Sequence, residues 1–320
     1  MQLLITLGYQ TTEEAVLRLL DWETKTIIRD LTYRSPVATF LERLRRQGVE
    51  LPENITPKCK FLGGMFWKGH FYTCTYSEVI RINLNDWFID HYFTHRRFND
   101  LHNVYADETG IYVCNAGMDT VDRFDHDGQL LHSFPMRPEP LEAWIDPAAD
   151  YRYIPKTRRD TQVNQVVPWK GELLVNLAHR HEVTRLDRSP VFTGFPNMIH
   201  DGILRGGYYY WTTVDGKIVR AHEDTREVET VVDLREECHG PGEPGWCRGL
   251  EIVGNLAFAG FTQFRKPSKR EFIKFAIRGG KHYPSHVVCY DLARRRLVEM
   301  YYFPRPDMVI HGIYEYPYFA

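Results

Sequence analysis

Long hydrophobic runs are missing from this sequence, and so is any excess of charge of one sign. No window approaches the roughly 18 apolar residues that a membrane-spanning helix needs. Lys and Arg number 40 against 42 Asp and Glu, a formal net charge of −2, which excludes the basic surface of a nucleic-acid binder or a membrane-surface protein. The start, MQLLITLGYQ, has no basic stretch, and its apolar run is too short for a secretory leader, so a cytoplasmic protein is expected. Cysteine is sparse. Its six positions (Cys59, Cys74, Cys114, Cys238, Cys247, Cys289) show no tight metal spacing. Cys74, Cys114 and Cys289 fall inside apolar runs that read as strands, so reduced core thiols are expected. The loop CHGPGEPGWC has no second close pair to make a zinc knuckle, and GGKHYP lacks the strand and helix context of a phosphate-binding loop. No G-x-S-x-G elbow is present.

Aromatic residues, by contrast, reach 14%, with 19 Tyr and 7 Trp, which favours β structure. A repeat explains them. GGMFWKGHFYTCT…EVIRINL, HNVYADETGIYVCNAGMDTVDRFDHDGQLLHSF, NQVVPWKGELLVNLAHRHEVTRLDRSP, HDGILRGGYYYWTTVDGKIVRAHEDTREVETVVDL and RGLEIVGNLAFAGFTQFR…SHVVCYDLARRRLVEMYYF share one layout. A short apolar strand, a tight turn and a second strand are followed by a polar loop, a third strand, a turn and a fourth. Four short strands per unit at a spacing of roughly 40–50 residues mark a propeller blade. The lone strand IHGIYEYP joins QLLITLG, AVLRLLDWE and TIIRDLTY to complete a sixth blade, which leaves no open sheet edge. The expected fold is therefore an all-β, six-bladed β-propeller in one domain, 1–320. SPVATFLERLRRQG predicts a helix in a connection over 34–58, with Ser and Pro at its start and Val37, Phe40, Leu41 and Leu44 at helical spacing. Residues 264–285 form an insertion in blade five.

Aligning the blades on their first tight turn places Gly63, His102, Gln165, His200, Arg248 and His311 at equivalent points, with Asn164 as the alternative to Gln165. First strands line a propeller's channel, so these side chains are expected to ring its mouth. The histidines occupy blades two, four and six. Three neutral imidazoles suit a divalent transition metal such as Fe, Zn or Mn, which can polarise a carbonyl or activate water. His102, His200 and His311 are thus the candidate metal ligands. Arg248 offers a planar fork for a carboxylate or phosphate, and Asp201 can orient an imidazole or act as a base. Gln165, Asn103, Gln263, Arg265 and Tyr9 join Arg248 as candidate substrate contacts. Tyr76, Asn115, Asp119, His179 and His181 fall in loops expected on the same face.

GWCRGLEIVGNLAFAGFTQFR and HVVCYDLARRRLVEMYYF resemble a family of bacterial six-bladed propellers of unknown function. The matching residues are Arg248, Gly249, Leu250, Gly260, Gln263, Arg265, Tyr290, Asp291 and Leu292, and the likeness covers the last two to three blades. It implies the fold and no reaction. The chain is also similar to the wider group of gluconolactonases and strictosidine-synthase-like proteins. That resemblance implies calcium held by carboxylate and Asn ligands, where this sequence places histidines. Two functions are open: a metal-dependent enzyme (hydrolase, lyase, isomerase or oxygenase) acting on a small anionic metabolite, or a scaffold that binds a protein, peptide or glycan.

Overall fold

The computed structural model describes residues 1–48, 59–154, 157, 160–240, 242–263, 283–305 and 307–317. Its strands form six four-stranded sheets, the architecture of a six-bladed β-propeller. Blade one holds Gly64–Trp67, His70–Cys74, Val79–Asn83 and Phe88–Phe93. Blade two holds Leu101–Asp107, Gly110–Asn115, Thr120–Phe124 and Leu130–Pro135. Blade three holds Val163–Trp169, Glu172–Leu177, Glu182–Arg185 and Pro190–Phe192. Ile199–Arg205, Tyr208–Thr213, Lys217–His222 and Val228–Asp233 make blade four. Trp246–Val253, Leu256–Thr262, His286–Asp291 and Arg296–Tyr302 make blade five. Blade six joins the last strand to the first three, as the repeat predicts. Met308–Glu315 pairs antiparallel with Gln2–Tyr9, and Ala15–Asp21 and Ile27–Tyr33 follow outward.

The chain divides into two compact units. One contains blades four and five with most of blade six. The other contains blades one to three and the helix Pro36–Arg46.

Local chemistry sets these elements. Lys68–Gly69, Lys170–Gly171 and Gly206–Gly207 each put two successive residues at positive φ (47° and 76°, 47° and 82°, 58° and 79°). That is the turn whose twist matches the strands it joins, and glycine carries it without a Cβ penalty. In blade six, burial falls outward. Gln2–Tyr9 buries its six central residues, whereas no residue of Ile27–Tyr33 is fully buried. Ile218, Leu234, Cys247, Leu250, Phe261 and Val288 belong to one core shared by blades four and five. Each buried side chain of this size contributes about 1.5–3 kcal/mol. Five of the six cysteines are buried, and burial pushes the Cys59 and Cys289 thiols up to about 12.

The predicted helix forms as Pro36–Arg46 and buries Val37 and Leu41, one turn apart, with Tyr153 packed against them. A second helix, Leu234–His239, was not foreseen. Asp233 caps it, its carboxylate accepting from the Arg235 and Glu236 amides at 3.1 and 3.3 Å. Within the described residues, no helix is long and apolar enough to cross a membrane. Of the connection 34–58 and the insertion 264–285, residues 49–58 and 264–282 lie outside the described residues.

Candidate functional site

A β-bulge interrupts the first strand of five blades. In blade two, Leu101 faces Asn115 and Asn103 faces Cys114, so His102 is the extra residue. Asn164 is extra in blade three, Gly249 in blade five and His311 in blade six. In blade four, His200 and Asp201 span the bulge between Ile199 and Gly202. A bulge leaves a residue out of the ladder and re-aims its side chain, and such sites often border functional pockets. The register selects Asn164 over Gln165, both left open by the sequence, as the equivalent of the histidines, and corrects Arg248 to Gly249 in blade five.

In the unit of blades four to six, these bulges connect. Asp201 accepts from the Gly249 amide at 2.6 Å and lies 2.7 Å from His200 Nδ1, so one carboxylate oxygen ties blade four to blade five. Beside a carboxylate, Nδ1 carries the proton, which leaves Nε2 as the basic nitrogen of the neutral ring. Gly249 sits at φ +73°, and a Cβ there would meet Ile313 at 3.1 Å. Only glycine fits this conformation and approach without strain. Next to it, Arg248 Nη1 lies 3.4 Å from His311 Nδ1, which carries the contact into blade six. The Arg248 guanidinium lies 5.1 Å from the centroid of Trp246, an indole left 43% exposed. His200, Asp201 and His311 are all buried, while Arg248 is half-buried. Thr262 clasps blade six to blade five, accepting from the Ile310 amide at 2.9 Å and donating to the Ile310 carbonyl at 3.2 Å. Trp246 and the Gly249 amide escaped the sequence reading. The run GWCRGLE carried the signal, a glycine in the middle of a strand.

His102 belongs to the other unit, where its Nε2 stands 3.6 Å from Asp100 Oδ2. Asn103 is buried, its amide lying where a Cβ on Gly63 would fall, and Gln165 accepts from Asn176 at 3.0 Å. Asp119, placed on a loop by the sequence, proves to be a fully buried pin. It accepts from the Thr161 amide and hydroxyl, from the Asp160 and Gln162 amides, and from Arg137. Tyr9 and Gln263, in the first unit, are engaged locally. Arg305 lies 3.9 Å over the Tyr9 ring, and the Gln263 carbonyl accepts from Gln10 at 3.1 Å. Arg265 lies outside the described residues.

Three histidines on one ion need nitrogens at about 2.0–2.2 Å from it. Among the described residues, no group of three or more His, Cys, Asp or Glu side chains is arranged to hold a metal. The permanent charge of Arg248 next to His311 also opposes a dication there.

No protein-family model matches the sequence, and no curated protein matches it. Solved structures do. A protein of unknown function from Bacteroides caccae aligns at 13% identity with a TM-score of 0.62, over 98% of this chain and 97% of its own. A chain of a nidogen/laminin complex aligns at 10% identity with a TM-score of 0.57, over the same 98% and 97%. At such identities the likeness reaches the fold alone, and by fold this chain is a six-bladed β-propeller.

Proposed function

We propose that the protein is an enzyme acting on a small anionic metabolite at the bulged first strands of blades four to six. The observation that carries this reading is the run of contacts His200–Asp201–Gly249 and Arg248–His311. Arg248 anchors a carboxylate or phosphate through its planar fork, over the exposed face of Trp246. Asp201 holds His200 in the Nδ1–H tautomer, so Nε2 takes a proton from the bound molecule as a general base. Arg248 can only donate, so His311 Nδ1 accepts and its Nε2–H is left to donate a hydrogen bond to the leaving group. That pairing serves elimination or hydrolysis and needs no metal ion. Six free cysteines fit a reducing, cytoplasmic setting.

The test is thermal unfolding of the wild type and Arg248→Ala in rising inorganic phosphate, then malonate, at constant ionic strength, with metal analysis of both proteins. A ligand at 100 times its Kd adds about 2.7 kcal/mol to stability. The wild type should gain melting temperature with one of these anions, and Arg248→Ala should not. Equal responses of the two proteins would overturn the proposal. Stoichiometric Fe, Zn or Mn lost on His200→Ala would restore a metal centre in its place.

A further inference from the structure

Away from that site, blade five holds a pair of buried histidines. His239 ends the helix Leu234–His239, and His286 begins the strand His286–Asp291. Their Nε2 atoms lie 2.7 Å apart. His239 Nδ1 is 3.0 Å from the Leu234 carbonyl oxygen, and His286 Nδ1 is 2.7 Å from that of Pro284. The rings are 4% and 0% exposed. Phe261 stacks flat on His286 with centroids 5.2 Å apart and meets His239 edge-on.

Counting protons gives the argument. A carbonyl only accepts, so each Nδ1 must donate to hold its contact. Two neutral imidazoles own one N–H each, and both are then spent on the carbonyls. The contact between the Nε2 atoms would set lone pair against lone pair. Three hydrogen bonds require three protons, so the observed arrangement closes only when the pair carries one extra. A metal ion is no substitute. Two nitrogens about 2.1 Å from a tetrahedral ion lie about 3.4 Å apart, which is too wide for this gap.

We infer that His239 and His286 share one proton between their Nε2 atoms and act as a pH-sensitive latch between the helix Leu234–His239 and the third strand of blade five. Among the described residues, few charged groups face the pair. Arg235, on the same helix, is paired with Glu243, and Tyr283 and Tyr302 supply neutral hydroxyl-bearing rings. Burial pushes both rings down to about 4, with Arg235 contributing to the fall at His239, so the proton arrives only well below neutral pH. The two rings titrate as one unit. Above that range one of the three contacts opens. The longest is His239 Nδ1 to Leu234, so the end of the helix is released while Pro284 keeps its partner. Tyr283 donates to the His239 carbonyl at 2.8 Å, so the release reaches the segment that leads into the strand.

Imidazole nitrogen NMR on the full chain tests this between pH 7 and 3. The two Nε2 signals should shift together at one midpoint, with both Nδ1 protons retained below it. Protection factors of the 234–239 amides should rise as the proton is taken up. Linkage gives a second reading. Unfolded histidines titrate near 6.5, so between that pH and the midpoint the unfolded chain binds two protons at these positions and the folded pair none; below the midpoint the folded pair holds one. Relative to His239→Gln/His286→Gln, stability therefore falls with pH by the slope of two protons above the midpoint and of one below it. Separate midpoints, or a slope of two protons with both rings neutral down to pH 3, would overturn the latch. If the double variant does not fold, the wild-type spectra decide alone.

Discussion

Asp201 is the residue whose replacement reports most directly on the site. In Asp201→Asn the amide oxygen that replaces the shared carboxylate oxygen still accepts from the Gly249 amide at 2.6 Å and from His200 Nδ1–H at 2.7 Å, but without the charge. Exchanging charge-assisted hydrogen bonds for neutral ones in a site only 8% exposed costs about 1–3 kcal/mol. At about 2.1 cal/mol/K of unfolding entropy per residue, a chain of 320 residues loses about 1.5 °C per kcal/mol, so the melting temperature falls by about 1.5–5 °C. Asp201→Ala should cost more, because it strands both the Gly249 amide and the His200 N–H. Calorimetry measures the shifts, and nitrogen NMR of His200 reads the tautomer, which should stay at Nδ1 in the asparagine variant and be released in the alanine variant. An alanine variant that melts like the wild type, with His200 still protonated at Nδ1, would refute the role given to this carboxylate.

Three further outcomes are expected. Gly249→Ala should lose about 1–3 kcal/mol in urea unfolding, because its Cβ enters at φ +73° against Ile313; an unchanged midpoint would mean that the bulge does not need glycine. Asp119→Ala should lose about 3–5 kcal/mol by stranding a cluster of buried donors and removing one of the two carboxylates paired with Arg137, and a loss under 1 kcal/mol would count against its part as a pin. Deleting residues 310–320 should leave no soluble folded protein, since it removes most of the partner strand of Gln2–Tyr9; a soluble truncation with unchanged melting would contradict the blade-six pairing.

The blade pattern was legible because strand periodicity and turn glycines are local signals. Lys68–Gly69 and Gly206–Gly207 announce their hairpins in two letters, and IHGIYEYP showed itself as a strand in need of partners. The helix Pro36–Arg46 was readable from its first two residues and its apolar spacing. The site was legible only in part. His200, Asp201, Arg248 and His311 do form contacts in a continuous series, but nothing in the sequence marks where a ladder slips by one residue. Side chains alternate faces along a strand, so a single bulge exchanges which of two neighbours points where. That is why the sequence left Gln165 and Asn164 both open and put Arg248 in place of Gly249. The His239–His286 pair was hidden for another reason. Its members come from distant segments, and only the folded chain shows that their nitrogens meet.

The pairing of Leu3 with Glu315 sets a timetable for folding. Contacts of very long sequence separation form late, because the chain entropy lost in closing such a loop comes before any contact rewards it. At roughly 5–20 residues per second, synthesis of a chain this long takes tens of seconds. For most of that time Gln2–Tyr9 has no partner on its Met308–Glu315 side, and its apolar run LLITL is open to pairing with other chains. Blades one to five can each form from contiguous sequence as they emerge. Gln2–Tyr9 is completed only after them, so refolding yield should fall with protein concentration.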